Sequence, residues 1–193
     1  TKHFSENADR TYFFTATPKH SRTIKRIGMN NPQVYGNVIC QVPAPKLVDD
    51  GFILPPKVKL KQFDIIEDRQ QIPERDSEHL IATIDDNDIN KSLICARSTK
   101  QIVRLFSDSP FATDLWDRGY SWMYITAKTG AVIDGRKVDR ETFFNTLNEW
   151  GKTDKKFVVV HHSILSEGIN VKGLEAVLFM RNMDYITISQ SIG

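Results

Sequence analysis

The sequence predicts an α/β fold, a parallel sheet covered by helices on both faces. Two observations predict it. Short apolar runs alternate with stretches of helical spacing, four or more times at about 25 to 35 residues, which is the rhythm of βαβ units. The run Phe157-Val158-Val159-Val160 is also continuous and β-branched, the pattern of a strand buried on both faces.

In order along the chain, Tyr12-Phe13-Phe14 reads as a strand that Pro18 stops. Residues 19–36 are basic and turn-rich, with the Asn30-Asn31-Pro32 turn signal, and form a connector. The expected domains are therefore 1–30, the end of one domain with its connector, and 31–193, a second domain incomplete at its C-terminus. Within the second, strands are expected at 38–42 and 57–66, a short helix at 45–51 and a polar loop at 67–76. A helix at 77–85, a strand at 92–96 and a helix at 98–106, with Ile102, Val103, Leu105 and Phe106 at helical spacing, come next. Strand 120–126, helix 138–150, strands 156–160 and 174–180, and a helix from 186 complete the prediction. Both ends read as cut, since a strand-like run begins almost at once and the sequence stops inside an apparent helix.

Of the 193 residues, 40% are hydrophobic and 26% charged, enough apolar material for one or two globular domains. The net charge of +2 announces no polyanion binder, so any electrostatic footprint must be local. Cys40 and Cys95 stand in apolar runs without partners at ligand spacing and are expected as buried, reduced thiols, with no metal site. No apolar run approaches the roughly 18 to 20 residues that span a bilayer, and 1–10 lack a signal-peptide core, so no membrane partner is expected and the chain is placed in the cytoplasm. In an α/β sheet the loops after the strand ends, here after Ala96, Thr126, Val160 and Met180, are where chemistry is expected.

Four segments at those or equivalent places carry a resemblance: Phe13-Phe14-Thr15-Ala16-Thr17-Pro18; Lys91 to Thr99, KSLICARST; Val158 to Val171, VVVHHSILSEGINV; and Gln190-Ser191-Ile192-Gly193. In this order they resemble the motifs of superfamily 2 helicases of the DEAD/DEAH type, in the restriction-enzyme and phage-like branch. A softer match, Tyr124 to Gly130 followed by Asp139-Arg140-Glu141, is similar to the "TGKT" stretch of the same motors, and 29–58 resembles the bridge into their second domain.

The resemblance implies a RecA-like sheet, the end of the first motor domain followed by most of the second, and a parent that is an ATP-dependent helicase or translocase acting on DNA or RNA, with DNA favoured. It implies that Thr15 and Thr17 couple hydrolysis to strand contacts, and that Arg97, Ser98, Thr99, Thr126, Lys128 and Thr129 meet the nucleic acid. Glu167, Gly168, Asn170, Gln190 and Gly193 are implied at the ATP, with Gln190 the catalytic residue near the γ-phosphate. The physical sense is plain for Arg97, Ser98 and Thr99, which offer a cation, two hydroxyls and the N–H groups of a helix start to a phosphate. Asn170 departs from the family's usual Asp and removes a charge. No G-x-x-x-x-G-K-(S/T) loop and no D-E-x-H box occurs in these residues, so ATP and Mg²⁺ would need a first motor domain supplied in cis, and the chain alone is expected to be inactive. A rival keeps only binding, a relative that has lost hydrolysis; another makes the parent the translocase of a restriction system. His161 and His162 point to opposite faces as neighbours on a strand, and a structural role is expected for them. Trp116, Trp122 and Trp150 are expected in packing.

Overall fold

The computed structural model describes residues 8–15, 18–23, 27–55, 57–62, 66–162 and 171–181, in two units, Thr1–Lys61 and Gln62–Gly193. The first contains two short helices, α1 (Pro32–Tyr35) and α2 (Ala44–Asp49), joined by irregular backbone. Asn31 caps α1 by accepting from the Gln33 N–H at 3.0 Å, and Pro32 opens it where a missing N–H is harmless. The expected strands 12–14, 38–42 and 57–66 are irregular over their described residues, and none of the described residues of this unit is buried. Tyr12, Phe14, Val38, Ile39, Val58 and Leu60 are all exposed. Apolar and β-branched residues take up strand geometry only where a neighbouring strand completes the ladder, and no described strand does so here. Cys40, expected as a buried thiol, is exposed in the same stretch.

The second unit holds a six-stranded sheet in the order β4-β3-β2-β5-β1-β6. Its strands are β1 (Lys91–Cys95), β2 (Ser121–Thr126), β3 (Gly130–Ile133), β4 (Arg136–Val138), β5 (Phe157–His161) and β6 (Ala176–Phe179). The helices are α3 (Ile72–Asp85), α4 (Thr99–Ser107), α5 (Phe111–Asp117) and α6 (Arg140–Gly151). β2, β5, β1 and β6 are parallel, in keeping with the predicted βαβ pattern, but β3 and β4 run antiparallel, so the sheet is mixed rather than parallel throughout. The turn at 127–129 reverses the chain from β2 into β3, and the two-residue turn Asp134-Gly135 reverses it again into β4. Both residues have positive φ, 44° and 81°, the left-handed pair that closes a tight hairpin and that glycine adopts without strain.

From β1 the chain moves across the sheet one way to β2 through α4 and α5, then back to β5 through α6. Right-handed crossovers in opposite directions put those helices on opposite faces, and two cores result. On one face α3, α4 and α5 pack Leu80, Ile84, Ile102, Leu105, Phe111 and Leu115 against Ile94, Trp122, Val158 and Val160. On the other, Phe143 and Leu147 of α6 meet Leu93, Met123, Ile125, Phe157 and Val159. Successive residues of β1, β2 and β5 alternate between the two clusters, which is why those strands read as continuous apolar runs.

Several boundaries differ from prediction. α3 starts at Ile72, inside the predicted loop, because Pro73 sits in the first turn, where proline is tolerated. α5 was not predicted; Phe111 and Leu115 anchor it, while Trp116, expected in packing, is 64% exposed. Residue 138 belongs to β4, and Asp139 starts α6 by accepting from the Thr142 N–H at 2.8 Å. The end of α6 lies tight against the approach to β6: a Cβ on Gly151 would stand 2.7 Å from the Lys172 carbonyl oxygen.

The Ser77 hydroxyl, on the buried side of α3, has no hydrogen-bond partner among the described residues. A buried unpaired hydroxyl costs more than it returns, and alanine is the better helix former. Ser77→Ala is expected to raise the unfolding free energy by about 1 kcal/mol, read as a higher urea midpoint at unchanged slope.

Candidate nucleic-acid interface

Because β2, β5, β1 and β6 are parallel and in register, their carboxyl ends lie along one edge of the sheet. Cys95 of β1 stands opposite His161 of β5 and Phe179 of β6, and Ile125 of β2 stands opposite His161. The backbone continues the alignment past the strand ends, with Ala96 N–H donating to the His161 carbonyl at 2.7 Å and Met180 N–H to the Cys95 carbonyl at 3.0 Å. Immediately beyond come Arg97, Lys128, His162 and Arg181, one cation or titratable base after each parallel strand. Residues 96–99, 127–129, 162, 180 and 181 include no carboxylate. A chain of nearly balanced charge thus presents a basic rim, about 14 Å long at the usual strand spacing.

Beneath the rim lies a buried polar pair. Cys95 Sγ and His161 Nε2 are 3.2 Å apart, and both residues are essentially inaccessible. Burial first, with Arg181 and His162 acting in the same direction, lowers the His161 pKa to about 4. The imidazole is therefore neutral at physiological pH, and it lies in the positive field of the rim. This gives His161 the structural role expected of it. Among the described residues, no three of His, Cys, Asp and Glu gather as metal ligands.

The predicted strand-contact residues divide into two kinds. Arg97 and Lys128 are exposed, each in the loop after its strand, and the two loops lie two strand spacings apart, about 10 Å. Ser98, Thr126 and Thr129 are occupied in shaping those loops. Ser98 Oγ caps α4 by accepting from the Gln101 N–H at 3.1 Å, and Gln101 Oε1 accepts from the Arg97 N–H at 2.7 Å. Gln101 is held in turn by Asp76 Oδ2 at 2.7 Å. Thr126 is buried; its Oγ1 lies 2.6 Å from Thr129 Oγ1 and accepts from the Thr129 N–H at 2.9 Å. These bonds aim the cations: the hydroxyl residues build the loops, and Arg97 and Lys128 project from them. Thr99 is the first residue of α4 and is partly exposed.

No protein-family model matches the chain, and no curated protein matches it. Thr15 is exposed in the first unit. Thr17, Glu167, Gly168, Asn170, Gln190 and Gly193, and with them every residue expected at ATP, lie outside the described residues.

The sequence reading did not single out His162 or Arg181 as rim residues, since nothing in the linear order tells that β6 lies beside β1. It also passed over the ribbon β3–β4, although Asp-Gly between Ala131-Val132-Ile133 and Val138 is a strong short-range hairpin signal.

Proposed function

We propose that the chain is the second, RecA-like half of an ATP-dependent nucleic-acid motor of the superfamily 2 helicase type, and that its carboxyl-edge rim grips the sugar–phosphate backbone. One observation carries this: the alignment of Arg97, Lys128, His162 and Arg181 at the ends of four adjacent parallel strands, with no carboxylate among the described residues of those loops. A basic row on a rigid edge suits a polyanion, and contacts to phosphates position a strand without reading its sequence. DNA is the favoured strand. The ATP part of the reading comes from the resemblance of 158–171 and 190–193, with the phosphate loop and the Mg²⁺ ligands supplied by a preceding domain.

The test has two arms. Binding of single-stranded DNA, duplex DNA and RNA to this chain is followed by fluorescence anisotropy across a salt series. Arg97→Gln with Lys128→Gln is expected to flatten the logarithmic salt slope by about 1.4 on a single strand, two phosphate contacts at about 0.7 each. ATP hydrolysis by the parent protein is then measured with and without each polymer. Stimulation by one polymer, lost in Gln190→Ala, supports the motor. Binding with no hydrolysis would leave a passive binding module, the reading to which Asn170 lends itself, and absence of binding would remove both.

A further inference from the structure

The β3–β4 ribbon carries cations that the rim does not use. Elsewhere in this unit Arg75, Arg104 and Arg118 each hold a carboxylate, at 2.8 Å from Asp76, 2.9 Å from Asp108 and 3.1 Å from Asp85. Arg136, Lys137 and Arg140 are exposed and pair with no carboxylate among the described residues. Two neighbouring acids are engaged in local hydrogen bonds. Asp134 Oδ1 accepts from the Trp122 N–H at 2.8 Å, and Asp139 accepts from the Thr142 N–H at 2.8 Å and the Thr142 hydroxyl at 2.7 Å, bonds that hold its carboxyl below the usual carboxylate range. Asp139 and Glu141, at the start of α6, are both exposed, so the three cations stand beside two carboxylates, one of them engaged as the helix cap.

Topology sets these cations along one line. The Asp134 N–H also donates to the Trp122 carbonyl at 2.9 Å, so the turn is fastened to β2 at both its backbone and its side chain. From that turn β4 returns toward the carboxyl edge, with Val138 opposite Ala131, and Arg140 then opens α6 beside the loop that carries Lys128. Lys137 is opposite Val132, on the face of α3 to α5, and Arg136 is opposite Ile133, on the face of α6, so the two flank the outer edge from either side. Among the described residues β4 pairs only with β3 and forms an edge of the sheet. From Arg136 to Arg140 the line is roughly 13 Å long at strand spacing.

We propose that this edge is a second polyanion contact, in which a nucleic-acid backbone continues from Lys128 past Arg140 and along β4 between Lys137 and Arg136. The proposal rests on the nucleic-acid role of the rim, and names where the strand goes when it leaves it. The competing account of charges on an edge strand is that they keep two copies from pairing edge to edge. That account leaves nucleic-acid affinity alone and makes the chain self-associate when the charges are removed.

The experiment compares R136Q/K137Q/R140Q with R97Q/K128Q in the full chain, by anisotropy on single-stranded and duplex oligonucleotides over a salt series, with sedimentation velocity alongside. The ribbon variant is expected to remain monomeric and to flatten the slope by about 2 on a single strand, three contacts at about 0.7 each. R136K/R140K, which keeps the charges, is expected to retain the parental slope. Single variants K137Q and R140Q, each expected to lose about 0.7, serve if the triple variant fails to fold. A ribbon variant with unchanged slope beside a rim variant with reduced slope overturns the proposal and spares the rim. No change in either overturns it as well, together with the nucleic-acid reading.

Discussion

Phe143→Ala is expected to lower the unfolding free energy by about 3 to 5 kcal/mol. Phe143 is fully buried, and with Leu147 it joins α6 to Leu93, Met123, Phe157 and Val159 on that face of the sheet. Among the described residues α6 is the sole helix there, while three helices share the other face, so little else can collapse into the space the ring leaves. The T-shaped contact with Phe144, at 5.4 Å between centroids, is lost with it. Urea denaturation of the two proteins gives the difference from the shift in midpoint at equal slope. A loss below about 1 kcal/mol would mean that α6 does not form part of a close-packed core. Phe144→Ala, at a half-buried position, should cost less.

Acidification is expected to destabilise the fold across an unusual window, from pH 6.5 down to about 4, and His161 is the cause. In the unfolded chain its imidazole titrates near 6.5; in the fold burial first, then the charges of Arg181 and His162, bring it to about 4. Below 6.5 the unfolded chain therefore takes up a proton that the native one refuses, and stability falls with pH until the native imidazole also titrates. Above 6.5 the contribution is complete. The gap from 6.5 to about 4 corresponds to roughly 3 kcal/mol at about 1.4 kcal/mol per pKa unit. The carboxyls of Asp108 and Asp139, whose pKa values are lowered in the fold by hydrogen bonds chiefly from Ser107 and Thr142, lose their contribution only as pH drops below the ordinary carboxylate value of 3.8. Denaturation midpoints at a series of pH values, for wild type and His161→Leu, separate the two. The variant should show a flat profile from pH 6.5 to 4, and an unaltered slope would assign the acid sensitivity to other groups.

What the sequence disclosed follows from how local each signal is. The parallel core was legible because Phe157 to Val160 and Ser92 to Ala96 must be apolar on both sides, and that leaves a run anyone can see. The loops bearing Arg97 and Lys128 followed directly, since strand ends locate loops. Strand order was not legible: no local pattern places β6 beside β1, so the rim could be recognised only in part, whereas the β3–β4 ribbon carried a local Asp-Gly turn signal that was passed over. Val38 to Val42 misled in the opposite direction, with strand-forming residues and, among the described residues, no strand to pair with. Trp116 shows the same limit, since an indole between apolar neighbours reads as packing until the helix that carries it is seen to turn it outward.

The central place of β5, flanked by β2 and β1 and covered on both faces, has a consequence in time as well as in space. Amide protons of Val158, Val159 and Val160 can reach deuterated solvent only when the neighbouring ladders part, which for such a strand means opening of the whole unit, whereas the outward amides of β4 and those of 37–42, in no ladder among the described residues, exchange far sooner. The chain should therefore take up deuterium in widely separated waves, and the last to label would be the strand that ends at His161, directly under the row of cations.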